Sequence, residues 1–302
     1  MNFLNEMIYD VEKNEISFYN PSDTLWKNLS NVFSNTIATQ GIKNIQNQDE
    51  FNNLFSYVLP YGNLKNEIHL WLYFNLLKER DTFGILNKTT ALPSEIYDFT
   101  SSSIPNRPLR NNEKIINWDY LISIDTILTI SSINPEILNS PLKVCEIGSG
   151  WGRVAYYLTQ INKDISYHIF DIPHVLYVSH EYLKENVKHT DFYNYKESKI
   201  LLKEKTQRHG IFFYTPHFLE EFENKTFDLT INIASFQEMN QEQVNGYFKK
   251  INQLSNSLYT QQRYSDLEMN YEKYPIYENW EKLLDKDVNF HPLWFEKFYR
   301  IN

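Results

Sequence analysis

The stretch Val144-Cys145-Glu146-Ile147-Gly148-Ser149-Gly150-Trp151-Gly152-Arg153 decides the fold. Residues 142–147 make a short apolar strand. Three glycines at two-residue spacing then form a turn, and residues 153–161 have helical character. Glycine permits positive φ and lets a ligand come close to the backbone. A strand, a glycine turn and a helix in this order predict the opening unit of a parallel, doubly wound α/β sheet. Such sheets bind ligands at the carboxyl ends of their strands.

Downstream the alternation continues. Residues 165–170 are predicted as a strand, and 173–187 as a helix with Pro173 in its first turn. Residues 211–214 are the next strand. Residues 227–234, with Phe227, Leu229, Ile231, Ile233 and Ala234, are predicted as a strand of a sheet covered on both faces. The helix over 240–254 has Asn240 as its cap with Gln243 three residues on, and buries Val244, Tyr247, Phe248, Ile251 and Leu254. Residues 257–262 and 294–301 are the last strands. Helices should cover both faces of this sheet.

Upstream the periodicity is helical. Pro21-Ser22-Asp23 followed by Leu25, Trp26, Leu29 and Phe33 predicts a capped helix. Residues 66–79 predict a second, with Ile68, Trp71, Leu72 and Leu76 on one face and Phe74 and Leu77 thickening it. Tyr120, Ile124, Ile127 and Leu128 place a third over 113–131. Leu92-Pro93 and residues 104–108 read as loop. The chain therefore divides into a helical region over 1–135, which caps the site and builds the acceptor pocket, and a Rossmann-like catalytic domain over 136–302.

Composition narrows the function classes. The 302 residues carry 29 basic and 38 acidic side chains, a net charge of −9, which counts against a nucleic-acid partner or an anionic membrane. A hydrophobic share of 42% with 22% charged residues is that of a globular chain. One cysteine, Cys145, excludes a disulfide framework and a cysteine-based zinc site. No signal peptide is visible at Met1 to Glu6, and the apolar stretch over 70–77 is too short for a membrane span. A cytoplasmic protein is expected.

The glycine motif also bears on the ligand. A dinucleotide fingerprint reads G-x-G-x-x-G. Here the third glycine comes one place early, at Gly152, and Glu146 would repel a diphosphate. Both features favour a cofactor with no phosphate and a positive centre. S-adenosylmethionine, with an ammonium, a sulfonium and an adenosine, fits. Asp171 ends the second strand, 171 − 152 = 19 residues past the last glycine. An acidic residue at that place binds ribose hydroxyls, and it can also cap the helix that starts at Pro173.

The glycine motif, Phe170-Asp171-Ile172-Pro173, and the segment from Phe227 to Met239 together resemble the class I S-adenosylmethionine-dependent methyltransferases. More narrowly they resemble the bacterial sugar O-methyltransferases found in surface-glycan gene clusters. The resemblance covers about residues 140–302. It implies a Rossmann-like sheet with Glu146, Gly148, Ser149, Gly150 and Gly152 around the methionine end of the cofactor. It puts Asp171 on the ribose and makes Ile172 and Ser235 further cofactor-binding residues, Ser235 in the loop after the fourth strand, which faces the methyl group. The loop at Thr215-Pro216-His217 would lie near the adenine, without the acidic residue that many of these enzymes carry there.

The reaction implied is an in-line displacement at the sulfonium methyl, which needs an acceptor oxygen about 3 Å away. A sugar hydroxyl is a weak nucleophile, so a base should take its proton. Glu238, in the loop after the fourth strand, is the first candidate, and it would need burial to raise its pKa. His217 is the second, because imidazole titrates near neutrality; His174 and His291 follow. Gln237 and Arg263 are candidates for holding the acceptor, Arg263 for an anionic one. No metal-ligand constellation is visible. The acceptor is expected to be a sugar, free, nucleotide-linked or within a glycan; a peptide or other secondary metabolite is the alternative. A nicotinamide-dependent oxidoreductase is the rival from another class. The aromatic N-terminal helices suit a lid or a homodimer interface.

Overall fold

The computed structural model describes residues 3–16, 19, 67–89, 109–111, 114–116, 118–265, 269–289 and 291–302. The helix expected after Pro21 and the loops expected at 92–93 and 104–108 lie outside them. In chain order, α1 (Phe3–Glu12), α2 (Glu67–Arg80), the one-turn α3 (Ile85–Lys88), a small hairpin of β1 (Leu109–Asn111) and β2 (Lys114–Ile116), and α4 (Trp118–Ile133) precede the sheet. Then come β3 (Lys143–Ile147), α5 (Arg153–Ile161), β4 (Ser166–Phe170), α6 (Pro173–Asn186), β5 (Phe192–Tyr193), α7 (Tyr195–Lys203) and β6 (Gly210–Tyr214). The chain closes with β7 (Leu229–Ile233), α8 (Gln241–Leu254), β8 (Ser257–Arg263), β9 (Trp280–Val288) and β10 (His291–Ile301).

Eight strands form one sheet in the order β5-β6-β4-β3-β7-β8-β10-β9. The chain steps from β3 through β4 to β6 in one direction, then from β7 to β8 in the other. This is the doubly wound order, with its reversal between β3 and β7. β3, β4, β6 and β7 are buried almost end to end, as strands covered on both faces must be. On one face, Val144, Tyr167, Ile169, Leu229, Ile231 and Tyr259 pack with residues of α2, α4, α5 and α6. On the other, Cys145, Ile147, Phe170, Phe212 and Leu258 pack with Val244, Tyr247, Phe248, Ile251 and Leu254 of α8. Asn240 and Gln243 form a reciprocal capping box at the start of α8.

Three expectations are corrected. The sheet is mixed, not wholly parallel: β10 runs antiparallel to β8 and β9 antiparallel to β10. A short turn at Asn289 joins those two strands, and only a helical crossover would have made them parallel. The helix expected over 113–131 starts at Trp118, because residues 114–116 pair with 109–111. On α2 the buried face is Leu70, Tyr73, Phe74 and Leu77, whereas Trp71, Leu72 and Leu76 are exposed. Both sets have helical spacing. The choice falls to Tyr73 and Arg80, whose polar ends reach Asp125 of α4: Tyr73 Oη donates to Oδ2 at 2.5 Å and Arg80 pairs with Oδ1. The sequence spacing does not predict α1, α3, β1, β2, α7, β5 or β9.

Candidate functional site

The carboxyl ends of β3, β4, β6, β7 and β8 form one edge. The glycine turn leaves β3 with φ of 72° at Gly148, 60° at Gly150 and 86° at Gly152. Those left-handed values explain the glycines, because a side chain there costs about 1–2 kcal/mol. Gly148 has a second reason. A Cβ built on it would lie 2.1 Å from Ser235 Oγ. The turn after β3 thus touches the turn after β7 across the point where the strand order reverses. Asn232 closes the same gap, its Nδ2 donating to the Ile147 carbonyl at 2.7 Å.

Two carboxyls flank this turn. Glu146, 2% exposed, accepts from Tyr167 Oη at 2.9 Å. Burial pushes it up to about 8, although Tyr167 and the nearby Arg153 charge pull it down. Asp171 follows β4 and is also buried. Its Oδ2 accepts from the Gly150 N–H at 3.1 Å and its Oδ1 from the Ile172 N–H at 2.8 Å. Burial raises Asp171 to about 7. Ser149 is buried within the turn and Ile172 is half-buried at the start of α6. Glu146, Ser149, the three glycines, Asp171, Ile172 and Ser235 are therefore brought to one place.

The turn after β7 is strained. Ala234 adopts φ of 61°, outside the range that most side chains prefer. One 3₁₀ turn, Phe236–Glu238, follows. Gln237 is buried. Its N–H donates to Gln262 Oε1 at 3.2 Å and its own Oε1 accepts from the Arg263 N–H at 2.8 Å. Gln262 Nε2 reaches Asn232 Oδ1 at 2.6 Å. This amide network locks the ends of β7 and β8 together. Glu238 is half-buried beside it. The Arg263 guanidinium lies over the Trp294 ring, 5.3 Å from its centroid.

His217 stands apart. It follows β6, three strand spacings from β7, which is about 14 Å. Its Nδ1 is 3.2 Å from Thr215 Oγ1, and burial lowers its pKa. His174 is buried and lowered to about 4 for the same reason. Among the described residues no group of three His, Cys, Asp or Glu side chains is arranged to hold a metal ion. No described helix is long and apolar enough to cross a membrane.

Sequence reading missed Asn232, Gln262 and Tyr167. Asn232 was detectable as the amide inside an otherwise apolar strand. Gln262 and Tyr167 gave no comparable signal, because their roles come from neighbouring strands.

No protein-family model and no curated protein sequence matches the chain. Solved structures do. A SAM dependent methyltransferase from Aquifex aeolicus matches at 13% identity over 57% of this chain and 89% of that chain, with a TM-score of 0.36. Magnesium protoporphyrin IX methyltransferase from Synechocystis PCC 6803, with bound SAM, matches at 11% over 60% of this chain and 80% of that chain, with a TM-score of 0.41. At these identities and scores the likeness does not extend to substrates or site residues.

Proposed function

We propose that this chain is an S-adenosylmethionine-dependent O-methyltransferase and that its acceptor is a sugar hydroxyl. The observation that carries the reading is the constellation at the reversal point. A glycine turn with three positive φ values lies between a buried Glu146 and a buried Asp171 that is bonded to the Gly150 N–H. The donor set suits this cofactor. A buried carboxyl at Glu146 suits the ammonium of the amino-acid end and works against a pyrophosphate. Asp171, an acceptor at the end of β4 beside the glycine turn, is suited to ribose hydroxyls.

The bound cofactor supplies an electrophilic methyl group; the side chains supply position and proton removal. Ser235 and Gln237 lie on the β7 turn, next to Gly148, and Glu238 ends the 3₁₀ turn that follows. Glu238 is proposed as the base, since it lies on the turn after β7 whereas His217 follows β6, three strands away. Arg263, held through its N–H by Gln237, is proposed to bind the acceptor, with its cation suited to a phosphate or uronic acid group. His217 then borders the adenosine end.

Calorimetric titration with S-adenosylmethionine and S-adenosylhomocysteine, beside NADH, tests the reading. Micromolar binding of the first two, weakened about tenfold or more in Asp171→Ala, is the expected outcome. Binding of NADH alone would overturn it. Once the cofactor is established, nucleotide sugars are the first acceptors to screen, with Glu238→Gln expected to bind cofactor normally and to lose turnover.

A further inference from the structure

Side chains along β8 alternate between the two faces of the sheet. Leu258 packs with α8 on one face and Tyr259 packs on the other. Gln261 and Arg263 follow Tyr259 at two-residue steps, on its face and toward the carboxyl end. In register, Gln261 lies between Ile233, the last residue of β7, and Glu296 of β10. Its backbone carbonyl accepts from the Ala234 N–H at 2.9 Å, where the turn after β7 begins.

Gln261 is 2% exposed, and its Oε1 is buried with no hydrogen-bond partner among the described residues. Its neighbours are satisfied without it. Glu296 accepts from Tyr259 Oη at 2.7 Å through Oε2, and its Oε1 is 2.9 Å from Lys286 Nζ. Gln237 and Gln262 already bond within the amide network. A buried acceptor left unpaired bears its full desolvation cost, which an apolar side chain of similar length would avoid. Packing between β7 and β10 therefore does not account for an amide at this position. The amide offers one acceptor and two donors, and a sugar hydroxyl both donates and accepts.

We propose that Gln261 binds the acceptor, pairing with a hydroxyl next to the one that is methylated, and so sets specificity for a polyol. The inference rests on the sugar-acceptor reading. It places the amide on the same face of β8 as Arg263, one step deeper than that cation. An acceptor lacking the paired hydroxyl would leave the amide unpaired and should be strongly rejected.

The test begins with methyl transfer to glucose, galactose, mannose and their nucleotide-linked forms. For the sugar that is methylated, each deoxy counterpart missing a hydroxyl beside the methylated position is compared. Wild-type protein should prefer the intact sugar over one of these at least tenfold in kcat/KM. Gln261→Met should lose most of that preference, chiefly through a higher KM for the intact sugar. Its affinity for S-adenosylhomocysteine should stay within twofold, and its urea midpoint should not fall. Equal wild-type turnover of the intact and deoxy sugars overturns the inference, and that arm needs no variant. An unchanged preference in Gln261→Met overturns it too. So does a lowered urea midpoint in that variant, because the amide would then be structural. Binding of S-adenosylhomocysteine with transfer to none of these sugars would instead overturn the sugar reading, and the polyol specificity with it.

Discussion

Glu146 and Asp171 end neighbouring strands and are both buried, so each is held above its ordinary range, at about 8 and about 7. The pH consequence has a definite sign. Between the unfolded value of about 4.5 and the folded value of about 8, the unfolded chain has released the Glu146 proton and the folded chain has not. Stability of the empty protein therefore falls as pH rises through that window, by at most about 1.4 kcal/mol per pH unit for this group. A cationic ligand acts in the opposite direction, since it favours the ionised form. Affinity for S-adenosylmethionine should rise roughly tenfold between pH 6.5 and 8.5, with proton release on binding. Calorimetry in buffers of different ionisation enthalpy measures that release. Glu146→Gln should flatten the pH dependence of both binding and unfolding, and a variant as pH-dependent as the wild type would refute the assignment.

At the level of elements, α2 shows why periodicity alone leaves a choice. Leu70, Tyr73, Phe74 and Leu77 share one face, and Trp71, Leu72 and Leu76 share another. Each face is apolar enough to be buried. The phenol of Tyr73 and the guanidinium of Arg80 decide, because both reach Asp125 only when the first face turns inward. The two faces should respond differently to truncation. Leu77→Ala should lower the unfolding free energy by about 3 kcal/mol, because Leu77 is fully buried. Leu72→Ala should change it by less than about 0.5 kcal/mol. Urea unfolding distinguishes the two, and equal costs would mean that the helix is rotated from the orientation described. For α8 there was no such ambiguity. Its cap, its glutamine partner and its single apolar face all point the same way, and the helix forms as read.

Across the molecule, Asp125 joins parts that are distant in sequence. Beyond Tyr73 and Arg80 it accepts from Asn289 Nδ2, at 3.0 Å to each oxygen, at the turn between β9 and β10. One carboxylate at the middle of α4 thus fastens α2 and the antiparallel edge of the sheet. Asp125→Ala would remove the charged partner of a buried phenol and of a half-buried guanidinium, at about 2 kcal/mol. Asp125 does not touch the glycine turn, so affinity for S-adenosylhomocysteine should stay within about threefold of wild type. Urea unfolding and calorimetry on the same preparation check both halves. Loss of binding without loss of stability would contradict this division of labour.

The sequence by itself determined the doubly wound half of the sheet and the glycine turn with its two flanking acidic residues. The reason is that both depend on local requirements: glycines where φ must be positive, apolar-rich strands where both faces are covered, and acidic residues at or just past strand ends. It did not determine which face of α2 turns inward, that β9 and β10 fold back antiparallel, or that Asn232, Gln262 and Gln237 tie two strand ends together. Those outcomes rest on partners tens to hundreds of residues away, such as Asp125 with Asn289 and Ile147 with Asn232. Such pairings have no signature in local spacing, because each partner alone is an ordinary polar side chain or backbone group. Only the packed tertiary structure brings them within hydrogen-bonding distance.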